Sequence, residues 1–286
     1  MEIELNSIKL KCPACGCELA LKEKSYICEN EHLYDISKYG YINLLLANKK
    51  NTKTPGDNQD MIRSRSAFLN KGYYQGLSNT FNKCIRSVDE HNQPKKILDI
   101  GCAEGYYLDQ FKQSLDVNSK HLLSGIDISK YAIQLAAKRK IDAKLVVANI
   151  YDLPFLNQEF NIVFSVFAPL DIDEINRVLR DNGTLIIVGP GEEHLRGLTE
   201  HIYDNVISHS GNYNIIDNNE KFQCQEVIEV KENIIVEKDD ILDLLRMTPY
   251  YWQTTEEKKE NILKLTQLNT PIHFYVKVYK KLSKIS

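Results

Sequence analysis

Residues 97–105 read Ile97-Leu-Asp-Ile-Gly-Cys-Ala-Glu-Gly105. An apolar run ends in an acid, a glycine turns the chain, and a second glycine opens the next segment. This is how a buried parallel strand passes into a nucleotide-cofactor loop and then a helix. Gly101 permits a tight turn at the strand end, and Gly105 allows close backbone approach of a ligand. The loop departs from the dinucleotide fingerprint, because Ala103 and the acid Glu104 stand inside it. A carboxylate there repels a pyrophosphate, which needs free N–H groups and no nearby negative charge. S-adenosylmethionine, a sulfonium with an amino-acid tail and no phosphate, fits better than NAD. Asp99, Gly101, Ala103, Glu104 and Gly105 are therefore candidate cofactor residues.

Downstream, strand-like and helix-like segments alternate. Strands are expected at 97–101, 122–127, 145–148, 160–166 and 184–188, with helices to about Leu115, over Lys130–Lys140 and over Glu174–Arg180. That alternation predicts a parallel sheet covered on both faces. Beyond Gly191 a helix through Tyr203, strands near 222–230 and 272–278, and one or two helices between them are expected. Asp127 ends the second strand, where a carboxylate either takes the ribose hydroxyls of a cofactor or caps the helix near Ser129. Asn149 ends the third, placed to meet the adenine edge or to make a turn. Phe167-Ala-Pro-Leu170 follows the fourth, either presenting an acceptor or merely turning the chain. His194 lies past Gly189-Pro-Gly191 on the same rim, where a lone histidine is commonly just a helix-start residue.

Upstream, Cys12-x2-Cys15 and Cys28-x3-His32 are separated by twelve residues. Three thiolates and an imidazole suit tetrahedral zinc and leave no open position for water, so one structural Zn2+ is expected. Cys17 is left outside the set, since thiols two residues apart point differently. Residues 1–37 form a knuckle with too small a core to fold without metal. Tyr39–Ala47 should pack it against the rest of the chain; Asn48–Asp57 reads as an exposed loop; helices run from Asp57 or Asn58 to Asn70 and from Tyr74 to Val88. The division is thus a knuckle (1–37), a basic helical linker (38–95) and a cofactor-binding domain (96–286).

Bulk properties set limits. The chain of 286 residues has room for a large core plus a small unit, and 43% hydrophobic with 26% charged residues is ordinary for a globular protein. No apolar run is long enough to cross a bilayer, and the N-terminus lacks the pattern of a secretory signal, so a cytoplasmic protein without membrane association is expected. Seven cysteines, four of them crowded before residue 29, fit metal ligation and no disulfides. The net charge of −3 argues against a polyanionic partner, yet residues 38–96 carry eleven Lys/Arg against four Asp/Glu. That block is either a solvated face or a phosphate-gripping one.

Together these residues resemble the RlmA (RrmA/TlrB) family of 23S rRNA guanine-N1 methyltransferases. The resemblance runs through the Cys-Pro-x-Cys knuckle, Tyr26-Ile-Cys28, Lys38–Leu44, Pro55-Gly-Asp57, Arg65–Leu69, Gly72–Gln75, Leu98–Cys102, Glu104–Tyr107, Asp127–Lys130, Leu153–Phe155, Ala168-Pro169, Pro190-Gly191 with His194-Leu195, and Met247–Tyr250. It implies a Rossmann-like class I S-adenosylmethionine-dependent methyltransferase fold behind a zinc-binding domain. By position it implies zinc on Cys12, Cys15, Cys28 and His32, and cofactor contacts from Tyr74, Ala103, Glu104 and His194. Ala103 stands where the family usually has glycine. The implied partner is a hairpin of 23S rRNA, and pairing of two copies is implied by resemblance alone. Asp171 or Asp173 could take the guanine N1 proton, though no residue pattern selects either. Two other readings stay open: a small-molecule methyltransferase with a zinc-stapled lid, and a non-catalytic zinc-dependent RNA-binding factor.

Overall fold

The computed structural model describes residues 7–47, 56–87, 94–116, 119–204 and 214–283. Lys49, Lys50, Lys53, Pro55, Asp89 and Glu90, part of the basic block and its flanks, lie outside the described residues.

The knuckle is a four-stranded antiparallel sheet, β1 (Leu10–Lys11), β2 (Glu18–Lys22), β3 (Ser25–Ile27) and β4 (Leu33–Asp35) in sequential order. The stretch expected to join it to the rest does so as a strand, β5 (Ile42–Asn43), which runs parallel to β8 (Ala143–Val147) at the edge of the main sheet. Two helices come next, α1 (Gln59–Asn70) and α2 (Gln75–Ser87). Asn58 caps α1 by accepting the Met61 amide at 2.8 Å, as its side-chain chemistry predicts.

The main sheet begins with β6 (Lys96–Ile100), passes through α3 (Tyr106–Ser114) to β7 (Leu122–Asp127), and through α4 (Lys130–Lys138) to β8. The chain then crosses to the other side of β6, adding β9 (Phe160–Val166), α5 (Ile172–Val178) and β10 (Leu179–Pro190). After the short helices α6 (Arg196–Thr199) and α7 (Asn214–Asp217), β11 (Phe222–Glu237) and β12 (Gln267–Lys281) flank α8 (Lys238–Arg246), α9 (Tyr250–Gln253) and α10 (Glu256–Leu263). The strand order is β11-β12-β10-β9-β6-β7-β8-β5, with β12 antiparallel to both its neighbours. Because the winding reverses between β6 and β9, their carboxyl ends open a crevice, the place where such sheets bind ligands.

The strands are buried on both faces, and period-two alternation sorts their side chains. Ile97, Val147, Phe164 and Ile186 join one core with Phe68, Phe81 and Phe111 of the covering helices. Leu98, Val146, Val163 and Leu185 face the other way, into a core that includes Leu10, Cys12, Leu19 and Cys28 of the knuckle. The knuckle is thereby docked on the second face. The Lys11 amide bonds to the Pro154 carbonyl at 2.9 Å, and Lys144 Nζ reaches the Ile8 carbonyl at 2.5 Å.

Three expectations need correction. The helix placed at 174–180 starts two residues earlier, because Asp171 takes the cap position by accepting the Glu174 amide at 2.9 Å. The helix expected through Tyr203 is only the four-residue α6; Leu195 sits at φ 56°, and Gly197 lies so close to Asn269 that the segment is pinned on β12. Three helices, not one or two, separate β11 from β12.

Candidate functional site

A cavity of about 760 Å3 opens at the carboxyl ends of β6 and β9. Of the nine residues proposed for the cofactor, Tyr74, Asp99, Gly101, Ala103, Glu104, Asp127, Asn149 and His194 all line it. Gly105 does not. It is the left-handed cap of α3, at φ 80°, and a Cβ there would meet Ala136 Cβ at 3.0 Å. Its role is to bring α3 against α4, rather than to let a ligand near the backbone.

Three left-handed residues, Gly101 (φ 73°), Ala103 (φ 46°) and Gly105, coil the loop around its amides. A Cβ on Gly101 would stand 2.3 Å from Ala168 Cβ, so the glycine lets the loops after β6 and β9 touch. Asp127 does more than either reading allowed it. One carboxylate oxygen accepts the Ser129 amide at 2.7 Å and the other the Ala103 amide at 3.0 Å, tying the β7 end to the cofactor loop. Ser129 itself caps α4. The Asn149 side-chain oxygen accepts the Tyr151 amide at 3.1 Å, a turn at the cavity's edge.

The site is strongly acidic for its burial. Asp99 and Glu104 are 2% and 1% exposed, and Asp127 and Asp57 line the same cavity. Burial, more than their mutual repulsion, pushes Asp99, Glu104 and Asp127 above the ordinary carboxylate range. The opposing charges are Arg65, which pairs with Asp57 at 2.5 Å, and Arg139, 3.7 Å from Glu104. Neither gives the Glu104 carboxylate a hydrogen bond, and both its oxygens are buried without one. The Tyr74 and Tyr107 hydroxyls are in the same condition. Buried polar atoms are rarely left so unless a ligand completes them.

This donor set fits S-adenosylmethionine. Glu104 offers an ammonium group two acceptors that lack a hydrogen bond, and the carboxylate cluster favours a cationic sulfur. His194 stands with its ring 4.6 Å from Phe274 and 6.0 Å from Tyr74, centroid to centroid. Arg65, Met61 and Tyr107 also line the cavity, and sequence reasoning assigned them nothing. Arg65 was visible as part of a basic block and of a stretch that carries the resemblance; its pairing with Asp57, two turns away on the helix lead-in, carried no distinctive pattern. Phe167, Ala168 and Pro169 reach the cavity, but Asp171 is occupied as the α5 cap and Asp173 pairs with Lys221 on the surface. Neither lines the cavity.

Cys12, Cys15, Cys28 and His32 bring their ligand atoms within 4.8 Å of one another. The Cys15–Cys28 sulfurs are 3.6 Å apart, and His32 Nδ1 lies 3.7 Å from Cys12 Sγ and 3.4 Å from Cys28 Sγ. A tetrahedron with zinc–ligand bonds of about 2.0–2.3 Å has edges of about 3.5–3.8 Å, so one ion fits among them. The Tyr34 hydroxyl is 3.4 Å from Cys12 Sγ, placed to orient that ligand. Cys17 stays outside, bonded to Glu29 at 3.0 Å.

Comparison with known proteins agrees with both halves. Residues 10–53 match the family model described as "RlmA, N-terminal", a zinc ribbon, and residues 97–183 match a model described as "Methyltransferase domain". The chain is similar to a 23S rRNA (guanine(748)-N(1))-methyltransferase of Streptomyces fradiae, 33% identical over 67% of this chain and 66% of that one. It is also similar to a putative 23S rRNA (guanine-N(1)-)-methyltransferase of Bacillus subtilis, 28% identical over 87% of this chain and 88% of that one. A protein of Micromonospora griseorubida with the same putative name is 27% identical over 86% and 87%.

Proposed function

The chain belongs to the RlmA family of 23S rRNA guanine-N1 methyltransferases, and from that premise we propose that it methylates N1 of a guanine in 23S rRNA. The observation that carries the cofactor half of this reading is the buried Glu104 carboxylate, without a hydrogen bond, in an acidic cavity at the switch point of the sheet. When bound, S-adenosylmethionine supplies a methyl group already activated on positive sulfur. The protein's work is then mainly alignment, with the guanine N1 proton leaving to solvent.

Glu104 and Tyr74 hold the amino-acid end of the cofactor, Asp127 the ribose, and Asn149 the adenine edge; Asp99 and Gly101 shape the loop beneath. His194 closes the rim opposite Tyr74. Cys12, Cys15, Cys28 and His32 hold one structural zinc. The docked ribbon and the basic residues of 38–96 grip the RNA backbone, and the target guanine lies unpaired or flipped in a hairpin. Two copies of the chain pair in the active form, a reading that rests on resemblance.

The test is a Lys49→Glu, Lys50→Glu, Lys53→Glu triple variant assayed on unmodified 23S rRNA at rising salt. Losing phosphate contacts makes methylation fail at lower salt than in the parent protein. An unchanged salt profile removes these lysines from RNA binding.

A further inference from the structure

One wall of the cavity is not accounted for by the cofactor. The amide of Phe167 bonds to the Val188 carbonyl at 3.0 Å, extending the β9–β10 ladder by one residue. There the backbone turns to φ 58°, a left-handed conformation that is a true outlier for a bulky side chain. Phe167 is 45% exposed although it lines the cavity. Hydrophobic rings are not usually strained into solvent, and such outliers cluster at sites where the strain serves a purpose. The position is fixed from behind, since the next residue, Ala168, is pressed against Gly101.

Around this ring stand other aromatics. Phe274 lies 5.3 Å away, Tyr107 6.4 Å away and edge-on, and His194 6.5 Å away with its plane tilted only 21°. The shielded Tyr107 hydroxyl has no hydrogen-bond partner. An exposed π-face beside a buried, unanswered hydroxyl is a site for a flat, polar-edged ring.

We propose that Phe167 is the stacking platform for the acceptor guanine and that the Tyr107 hydroxyl is the donor that meets its O6 edge. This deepens the methyltransferase reading and rests on it. Burial drives the Tyr107 phenol well above its ordinary range, so it stays protonated and donates. A hydrogen bond to O6 steadies the negative charge that appears there when guanine N1 gives up its proton to solvent. Phe167 positions the base, and Tyr107 touches it.

The test compares Phe167→Leu, Phe167→Tyr and Tyr107→Phe with the parent protein on unmodified 23S rRNA, alongside calorimetric binding of S-adenosylhomocysteine. Loss of one base–aromatic stack corresponds to about a 5- to 150-fold fall in kcat/KM for Phe167→Leu. Phe167→Tyr restores the parent rate, and S-adenosylhomocysteine affinity stays within about twofold in both. Tyr107→Phe lowers kcat with KM nearly unchanged, because its bond strengthens as charge develops on O6. If the parent protein methylates rRNA while Phe167→Leu does so equally well, the subsite is refuted and the methyltransferase reading stands. If Phe167→Leu loses S-adenosylhomocysteine binding in step with activity, Phe167 belongs to the cofactor and the subsite is likewise refuted. A parent protein inactive on rRNA overturns both readings.

Discussion

At the scale of single residues the function rests on a loop that is uncomfortable without its ligand. Ala103 holds φ 46° where a Cβ is costly, so Ala103→Gly should stabilise the ligand-free protein by about 1 kcal/mol, measured by chemical denaturation. Glu104→Gln removes a buried charge that lacks a hydrogen bond. The variant should lose cofactor affinity by about 10- to 100-fold, the worth of a charge-assisted hydrogen bond, when titrated by calorimetry. It should also change how stability follows pH. Burial raises the pKa of Glu104 in the folded chain, so between the ordinary carboxylate range and that raised value the folded state holds a proton the unfolded state has lost. Stability therefore falls as pH climbs through that window. Thermal midpoints recorded from about pH 4 upward should decline less steeply for Glu104→Gln than for the parent protein. Parallel curves would mean that Glu104 is already compensated.

At the scale of elements, the alternation of strands and helices from Lys96 to Val188 was legible, because buried parallel strands and amphipathic helices impose different periods on the apolar residues. Phe160–Val166 and Leu122–Asp127 have the bounds their sequences suggest. The start of α5 was legible but missed, since Asp171 with Glu174 three residues on is the pattern of a helix cap. The end of α6 is set by packing and was not legible: Gly197 against Asn269 stops it short, and that partner lies far along the chain. The zinc ligands could be read because metal chemistry forces both residue type and spacing. The aromatic wall could not, since Tyr107, Phe167, His194 and Phe274 come from four separate segments. Gly105 was read as ligand-facing because a fingerprint glycine has two uses, and only the contact with Ala136 tells them apart. Two expected outcomes belong here. Cys28→Ala should release the zinc equivalent seen by metal analysis and unfold the ribbon, yet leave cofactor binding within about threefold, since the cavity is lined from Gly56 onward. Gly101→Ala adds a Cβ 2.3 Å from Ala168 Cβ in a left-handed turn, and should cost about 2–4 kcal/mol by denaturant titration along with cofactor binding.

At the scale of the whole molecule, two regions of opposite charge lie in one chain. The cavity gathers carboxylates, while residues 38–96 concentrate Lys and Arg, and a net charge of −3 conceals both. The ribbon shares a hydrophobic core with one sheet face through Leu10, Cys12 and Cys28. Helices α1 and α2 contribute Ile62, Leu69 and Leu77 from the other side, with the cavity at the strand ends between. Among the described residues no helix is long and apolar enough to cross a membrane. The central assertion is that this assembly places the activated methyl of its cofactor on a nucleobase. It is tested most directly by incubating 23S rRNA that lacks native methylation with the protein and S-adenosylmethionine, then mapping the modified nucleotide by mass spectrometry. A single methyl group on N1 of one guanine is the result predicted; rRNA recovered unmodified, from protein that binds the cofactor and its zinc, would contradict it.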